Sequence, residues 1–175
     1  VVAPDVGGGF GSKINVYNED IVCSWASKKI NRAIKWVAER SESFLTDIHG
    51  RDHVTHAELA VTNDGKFLGF KNETIANLGA YARVFGTVTP TYLFGPCATG
   101  VYEIPAAYSN VKAVFTNTAP VDAYRGAGRP EATYTIERLV EKASMELGID
   151  KTELRMKNFP TSFPFKQTLV HTVDS

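Results

Sequence analysis

Two glycine segments, Gly7-Gly8-Gly9-Phe10-Gly11-Ser12-Lys13 and Ala123-Tyr124-Arg125-Gly126-Ala127-Gly128-Arg129-Pro130-Glu131, lie more than a hundred residues apart in this 175-residue chain. Glycines without Cβ let successive N–H groups converge on a ligand at close range, and such nests suit anionic or strongly accepting groups. Two of them in one chain constrain the fold to one that brings both to the same ligand.

The second segment runs into a helix. Pro130 suits a first helical position and Glu131 falls in the first turn, where the helix dipole favours a carboxylate. Ala132, Ile136, Leu139, Val140, Ala143 and Leu147 then recur at helical spacing as one buried stripe, and Gly148 stops the helix. A glycine-rich turn at such an N-terminus is an anion site, and Arg125 and Arg129 add positive charge beside it.

Neither segment is a familiar nucleotide motif. A Walker loop read from Gly7 needs a second glycine at position 12, where the chain has Ser12 followed by Lys13 and Ile14. A dinucleotide fingerprint fails on the Gly9-to-Gly11 interval, and Gly126 with Gly128 is followed by Glu131 in place of glycine. A phosphate-binding nucleotide enzyme is therefore not supported.

Pro4-Asp5-Val6-Gly7-Gly8-Gly9-Phe10-Gly11-Ser12-Lys13, the stretch Gly50-Arg51-Asp52-His53-Val54-Thr55-His56-Ala57-Glu58-Leu59, and Asn117 through Ala132 together resemble the molybdenum hydroxylase (xanthine oxidase) family. The resemblance is to the large chains of its carbon monoxide dehydrogenase and aldehyde oxidase branch, and covers Ala3 to Phe165. It implies that Gly8, Gly9, Phe10 and Gly11 on one side, and Ala123, Tyr124, Arg125, Gly126, Ala127, Gly128 and Arg129 on the other, contact a molybdenum–molybdopterin cofactor, in its cytosine dinucleotide form. It also implies an iron–sulfur small subunit, an FAD medium subunit and a small-molecule substrate.

Departures from the pattern bear on substrate. Copper-containing relatives carry a cysteine where this chain has Gly126, and copper(I) needs soft sulfur. Purine-oxidising relatives place glutamate and phenylalanine where this chain has Ile14 and Ala127. The resemblance thus implies an aldehyde or a heterocycle as substrate. The family's proton-abstracting glutamate lies in a Gly-x-Gly-Glu segment that these residues do not contain, so no catalytic residue is assigned. With no initial methionine, the expectation is a piece of a larger polypeptide or a truncated homologue, residues 1–175 forming one partial domain with about half of a cofactor site. Alone, such a fragment would be inactive and without cofactor; the alternative is a non-catalytic binding or assembly module that kept the fold.

At 43% hydrophobic and 22% charged, the composition allows a globular core. Nineteen basic residues balance nineteen acidic ones with no basic run among aromatics, which gives nucleic-acid binding no footing. No apolar run is long enough for a membrane span, and a cytoplasmic location is expected. Cys23 and Cys97 make neither a metal pair nor a disulfide framework and read as free thiols.

Along the chain, the pattern predicts a strand over Val1 to Val6, a helix over Glu19 to Lys28 and a short strand over Ile34 to Ala38. Strands over Val54 to Val61 and Phe67 to Ala76 flank the hairpin chemistry of Asn63-Asp64-Gly65. A further strand over Val111 to Thr116 leads to the second glycine segment, and Asp150 with Glu153 caps a short helix through Lys157. The sum is α+β, a mixed sheet with a few helices, with residues 77 to 105 unplaced. Trp25 and Trp36 read as core residues, and Phe10 as a packing residue that lends its N–H. His49, His53 and His56, with Asp47 and Asp52, suggest zinc, but on a strand His53 and His56 face opposite ways, so hydrogen bonding at a strand entrance is the reading.

Overall fold

The computed structural model describes residues 5–174. Four strands form one mixed sheet in the order β1-β2-β3-β4: β1 His53–Val61, β2 Phe67–Gly79, β3 Ala106–Phe115 and β4 Thr168–Asp174. β1 and β2 are an antiparallel hairpin, whereas β3 and β4 each join in parallel. Helices α1 Asn18–Ile30, α2 Arg40–Thr46, α3 Arg129–Leu147 and α4 Lys151–Lys157 complete the α+β arrangement.

The hairpin turn forms where Gly65, at a φ of 88°, donates its amide to Thr62. That backbone region costs glycine nothing. Alternating burial along β1 puts His53, Thr55, Ala57 and Leu59 on the inward face and Val54, His56, Glu58 and Ala60 outward, as strand geometry requires.

α3 lies over that inward face. Ala132, Ile136 and Val140 are fully buried, Leu139 and Ala143 pack partly against them, and Ser144 replaces Leu147 as the last buried position. Ile136 and Val140 join Phe67, Phe70, Tyr102, Ile104 and Leu154 in the main core, each such side chain contributing about 1.5–3 kcal/mol of burial. A second cluster, Ala76, Phe94, Val111 and Ala132, sits under the first turn of α3 and fixes the helix entrance. Gly148 ends α3 in the left-handed conformation, and Asp150 caps α4 by accepting from the amides of Thr152 and Glu153.

The stretch that sequence pattern leaves unplaced contains a wide π turn, Thr89–Phe94, followed by a 3-10 turn, Gly95–Cys97. Pro90 is tolerated because it stands at the start of the π turn, where its missing N–H is not needed.

Several expectations need correction. Ile34 to Ala38 is not a strand: no strand lies beside it among the described residues, and Ile34, Trp36 and Val37 are exposed. Of the strand expected over Val1 to Val6, residues 1–4 lie outside the described residues, and Asp5 and Val6 have no strand pairing. β3 begins at Ala106, five residues before the expected start, because its N-terminal half pairs with both β2 and β4. Trp25 and Trp36 are not core residues, being 60% and 43% exposed: α1, which carries Trp25, buries no side chain among the described residues, and Trp36 lies in no helix or strand.

Candidate functional site

The two glycine segments meet. Arg125 donates its amide to the carbonyl of Phe10 at 3.0 Å, and the Arg125 guanidinium lies 5.4 Å from the centre of the Phe10 ring. Gly11 approaches so closely that a Cβ there would stand 1.9 Å from the carbonyl oxygen of Ala123. Phe10 is thus not the packing residue that its type suggests: it is 46% exposed, at a φ of 52°, and its carbonyl joins the two segments.

Left-handed backbone recurs in both segments: Gly8 at 123°, Phe10 at 52° and Gly11 at 99° on one side, Gly126 at 92°, Ala127 at 38° and Gly128 at 85° on the other. Among the described residues, the N–H groups of Gly8, Gly9, Phe10, Gly11, Tyr124 and Gly126 meet no acceptor. Gly8, Gly9, Phe10, Tyr124, Arg125 and Gly126 are all solvent-exposed. Exposed amides without acceptors, on two touching segments beside arginine, fit an extended ligand rich in acceptor oxygens and nitrogens and bearing phosphate, which is the chemistry of a molybdopterin.

Gly128 is held against backbone. A Cβ there would lie 2.7 to 2.8 Å from Leu93 C, Phe94 N and Thr89 O, so the π turn is the floor on which the loop enters α3. Arg129 donates to the Ala127 carbonyl at 3.3 Å and so braces the loop itself. Gly126 excludes any side chain, since its Cβ would meet Pro130 Cγ at 2.6 Å. The loop therefore lacks a thiolate and, with this backbone, has no room for one.

Three residues outside the expected set hold the arrangement. Arg51, at a φ of 63°, donates through Nη2 to the carbonyl of Arg125 and stacks its guanidinium 4.6 Å from the Tyr124 ring centre. Its Nε lies 3.8 Å from Glu131 in the first turn of α3. Asp122, 2% exposed, accepts from Asn15 Nδ2 and from the amides of Phe85 and Ala123. Asp122 directly precedes the second segment and Arg51 lies in the Gly50-Arg51-Asp52-His53 stretch, so both had a sequence signal; Asn15 had none.

The histidines scatter. His49 Nε2 lies 3.2 Å from the Phe44 carbonyl and His56 Nε2 lies 3.5 Å from Glu58, while His53 packs edge-on to Phe94 at 5.1 Å between ring centres. Burial holds the His53 imidazole below its ordinary value of 6.5, against the opposing pull of Glu131 and Asp52. Among the described residues no three His, Cys, Asp or Glu groups come together as a ligand set. A groove of 960 Å³ between β1 and α3, bordered by His53 and Arg138, adjoins the loop through Arg51, Pro130 and Glu131. No described helix is long and apolar enough to cross a membrane.

Comparison with known proteins agrees with the fold. The molybdopterin cofactor-binding domain matches residues 1–159. The chain is 41% identical to the carbon monoxide dehydrogenase large chain of Hydrogenophaga pseudoflava, over 100% of its own length and 22% of that protein. It is 39% identical to subunit gamma of the 6-hydroxypseudooxynicotine dehydrogenase complex of Paenarthrobacter nicotinovorans, over 90% of this chain and 20% of that one. The crystal structure of quinoline 2-oxidoreductase from Pseudomonas putida 86 superposes with a TM-score of 0.86 at 34% identity, covering 94% of this chain and 21% of that chain. The chain thus spans about a fifth of the length of the relatives it matches. It belongs to the molybdopterin cofactor-binding domain family, as found in oxidoreductases of the carbon monoxide dehydrogenase and xanthine oxidase type.

Proposed function

We propose that residues 1–175 form one partial domain that grips one side of a molybdopterin cofactor, in its cytosine dinucleotide form, within the large subunit of a molybdenum hydroxylase. Gly8 to Gly11 and Ala123 to Arg129 are the holding residues. The observation that carries the reading is the Arg125-to-Phe10 hydrogen bond, because it makes two distant glycine segments one surface. When bound, the cofactor supplies a two-electron redox centre for inserting water-derived oxygen into a C–H bond.

The chain's own part is to hold and orient. The unpaired amides of the first segment are available donors, and the loop from Tyr124 to Gly128, braced by Arg51 and by the π turn, is tied to them through the Arg125-to-Phe10 bond. No residue here is assigned proton transfer. The chain alone holds half a site, so loading and turnover require the rest of the polypeptide.

The substrate we infer is an aldehyde or, better, an aromatic nitrogen heterocycle. Gly126 and Ala127 put neither thiolate nor aromatic ring at their own positions, and two of the compared relatives are named for quinoline and for 6-hydroxypseudooxynicotine. Electrons leave through an iron–sulfur small subunit and an FAD medium subunit, in keeping with a relative named as one subunit of a complex. Two free thiols, with Cys97 exposed, suit a reducing compartment, and the reading places the protein in the cytoplasm.

The test is oxidation of quinoline-type heterocycles, aldehydes and carbon monoxide by the polypeptide carrying this chain, in ¹⁸O-labelled water with an artificial electron acceptor. Labelled hydroxylated product from a heterocycle or aldehyde, with none from carbon monoxide, is the expected result. A folded, pterin-loaded protein that oxidises none of them would leave a binding or assembly module in place of an enzyme.

A further inference from the structure

Asp122 is buried, 2% exposed, beside the exposed residues of the two glycine segments in the chain. Its Oδ2 accepts from Asn15 Nδ2 at 3.1 Å, and its Oδ1 accepts from the amides of Phe85 at 3.0 Å and Ala123 at 2.6 Å. Each donor belongs to a different piece of the site. Asn15 directly follows the 3-10 turn that closes the first glycine segment, and Ala123 opens the second. The carbonyl of Phe85 receives the amide of Thr89, the first residue of the π turn under Gly128.

The Asp122 carboxylate meets neutral donors and takes part in no salt bridge among the described residues, and a buried carboxylate without a cation is expensive to desolvate. An apolar residue would avoid that cost but would leave the Asn15 amide and two backbone N–H groups without acceptors. Only a side chain with two acceptor atoms can serve all three.

We infer that Asp122 is a positioning residue that sets the separation and register of the two glycine segments, so that their unpaired amides form one cradle. The inference about the cradle's ligand rests on the cofactor reading above; the inference about register does not. The side-chain pair also has a direction that can be reversed. After Asp122→Asn, the new side chain can keep its oxygen toward Phe85 and Ala123 and offer its amide to residue 15, which then must accept.

The experiment compares Asn15→Asp, Asp122→Asn and the double variant in the polypeptide that carries this chain. Hydrogen exchange is read at the Arg125 amide, which donates across the segments, and pterin content is measured on the same preparations. Asn15→Asp sets two carboxylates face to face and is expected to raise exchange at Arg125 about tenfold. Asp122→Asn, in which Asn15 with its side chain flipped accepts through Oδ1, is expected to stay within about twofold, and the double variant to return to that level. A general loss of packing would not be reversed by the second substitution. Unchanged exchange in Asn15→Asp, or a double variant as fast as Asn15→Asp, would overturn the assignment. Wild-type protein without pterin would remove the cofactor reading while leaving the exchange comparison decisive for Asp122.

Discussion

The amide of Arg125 donates to the carbonyl of Phe10 across 115 residues of sequence, at 3.0 Å, with the side chains of the same two residues stacked cation over ring. Backbone and side chains therefore tie the segments at the same point, and substitutions around that point give the sharpest tests.

Gly11→Ala should be among the most damaging single-methyl changes in the chain. The new Cβ would stand 1.9 Å from the Ala123 carbonyl oxygen at a φ of 99°. Gly148→Ala is the control, with a φ of 67° and nothing within 4 Å. Urea unfolding should show a loss of about 3 kcal/mol or more for the first and about 1 kcal/mol for the second.

Gly126→Cys should not create a copper site. At a φ of 92° its Cβ would meet Pro130 Cγ at 2.6 Å, so the thiol can enter only by displacing the start of α3. Elemental analysis after copper loading should find no stoichiometric copper in the variant, and thermal unfolding should show a lower midpoint. One firmly held copper per chain would show that the loop adapts.

Asn158, fully buried, ties α4 to the hairpin: its Oδ1 accepts from the Phe67 amide at 2.8 Å and its Nδ2 donates to Gly65 and Leu154 at 2.8 and 2.9 Å. Asn158→Ala leaves those groups buried and unpaired. Denaturant titration should read a loss of about 2–4 kcal/mol.

Two groups make separable contributions to the pH dependence of stability. His53 is held by burial below 6.5, so the unfolded chain takes up the proton more readily and stability falls as pH drops below 6.5. The hydrogen bond from Lys157 and a second from Thr62 hold Asp64 at about 2, against an ordinary 3.8. Its contribution is present above 3.8 and lost as pH falls toward 2. Stability–pH profiles should flatten below pH 6.5 in His53→Gln and in the acid limb in Asp64→Asn, the latter difference shrinking in salt because Asp64 is exposed.

What could be read from the sequence was what local chemistry decides. α3 was legible from Pro130 to Gly148 because its periodic stripe and its stop lie within one stretch, and the hairpin because Asn63-Asp64-Gly65 sits between alternating runs. The glycine segments stood out because left-handed backbone demands glycine locally. β4 was missed because its pairing with β3 is parallel and non-local, with Val170 and Val173 each half exposed. Ile34 to Ala38 has apolar composition without a strand partner. Asn15 and Asp122 lie 107 residues apart, and no local pattern announces such a bond.

The central claim is that the two glycine segments hold a molybdopterin, and its most direct test is the molybdenum and oxidised-pterin content of the folded polypeptide that carries this chain. About one molybdenum and one pterin per chain is the result expected of this family's cofactor domain. Folded protein that contains neither, after expression where the cofactor is made, would contradict the account.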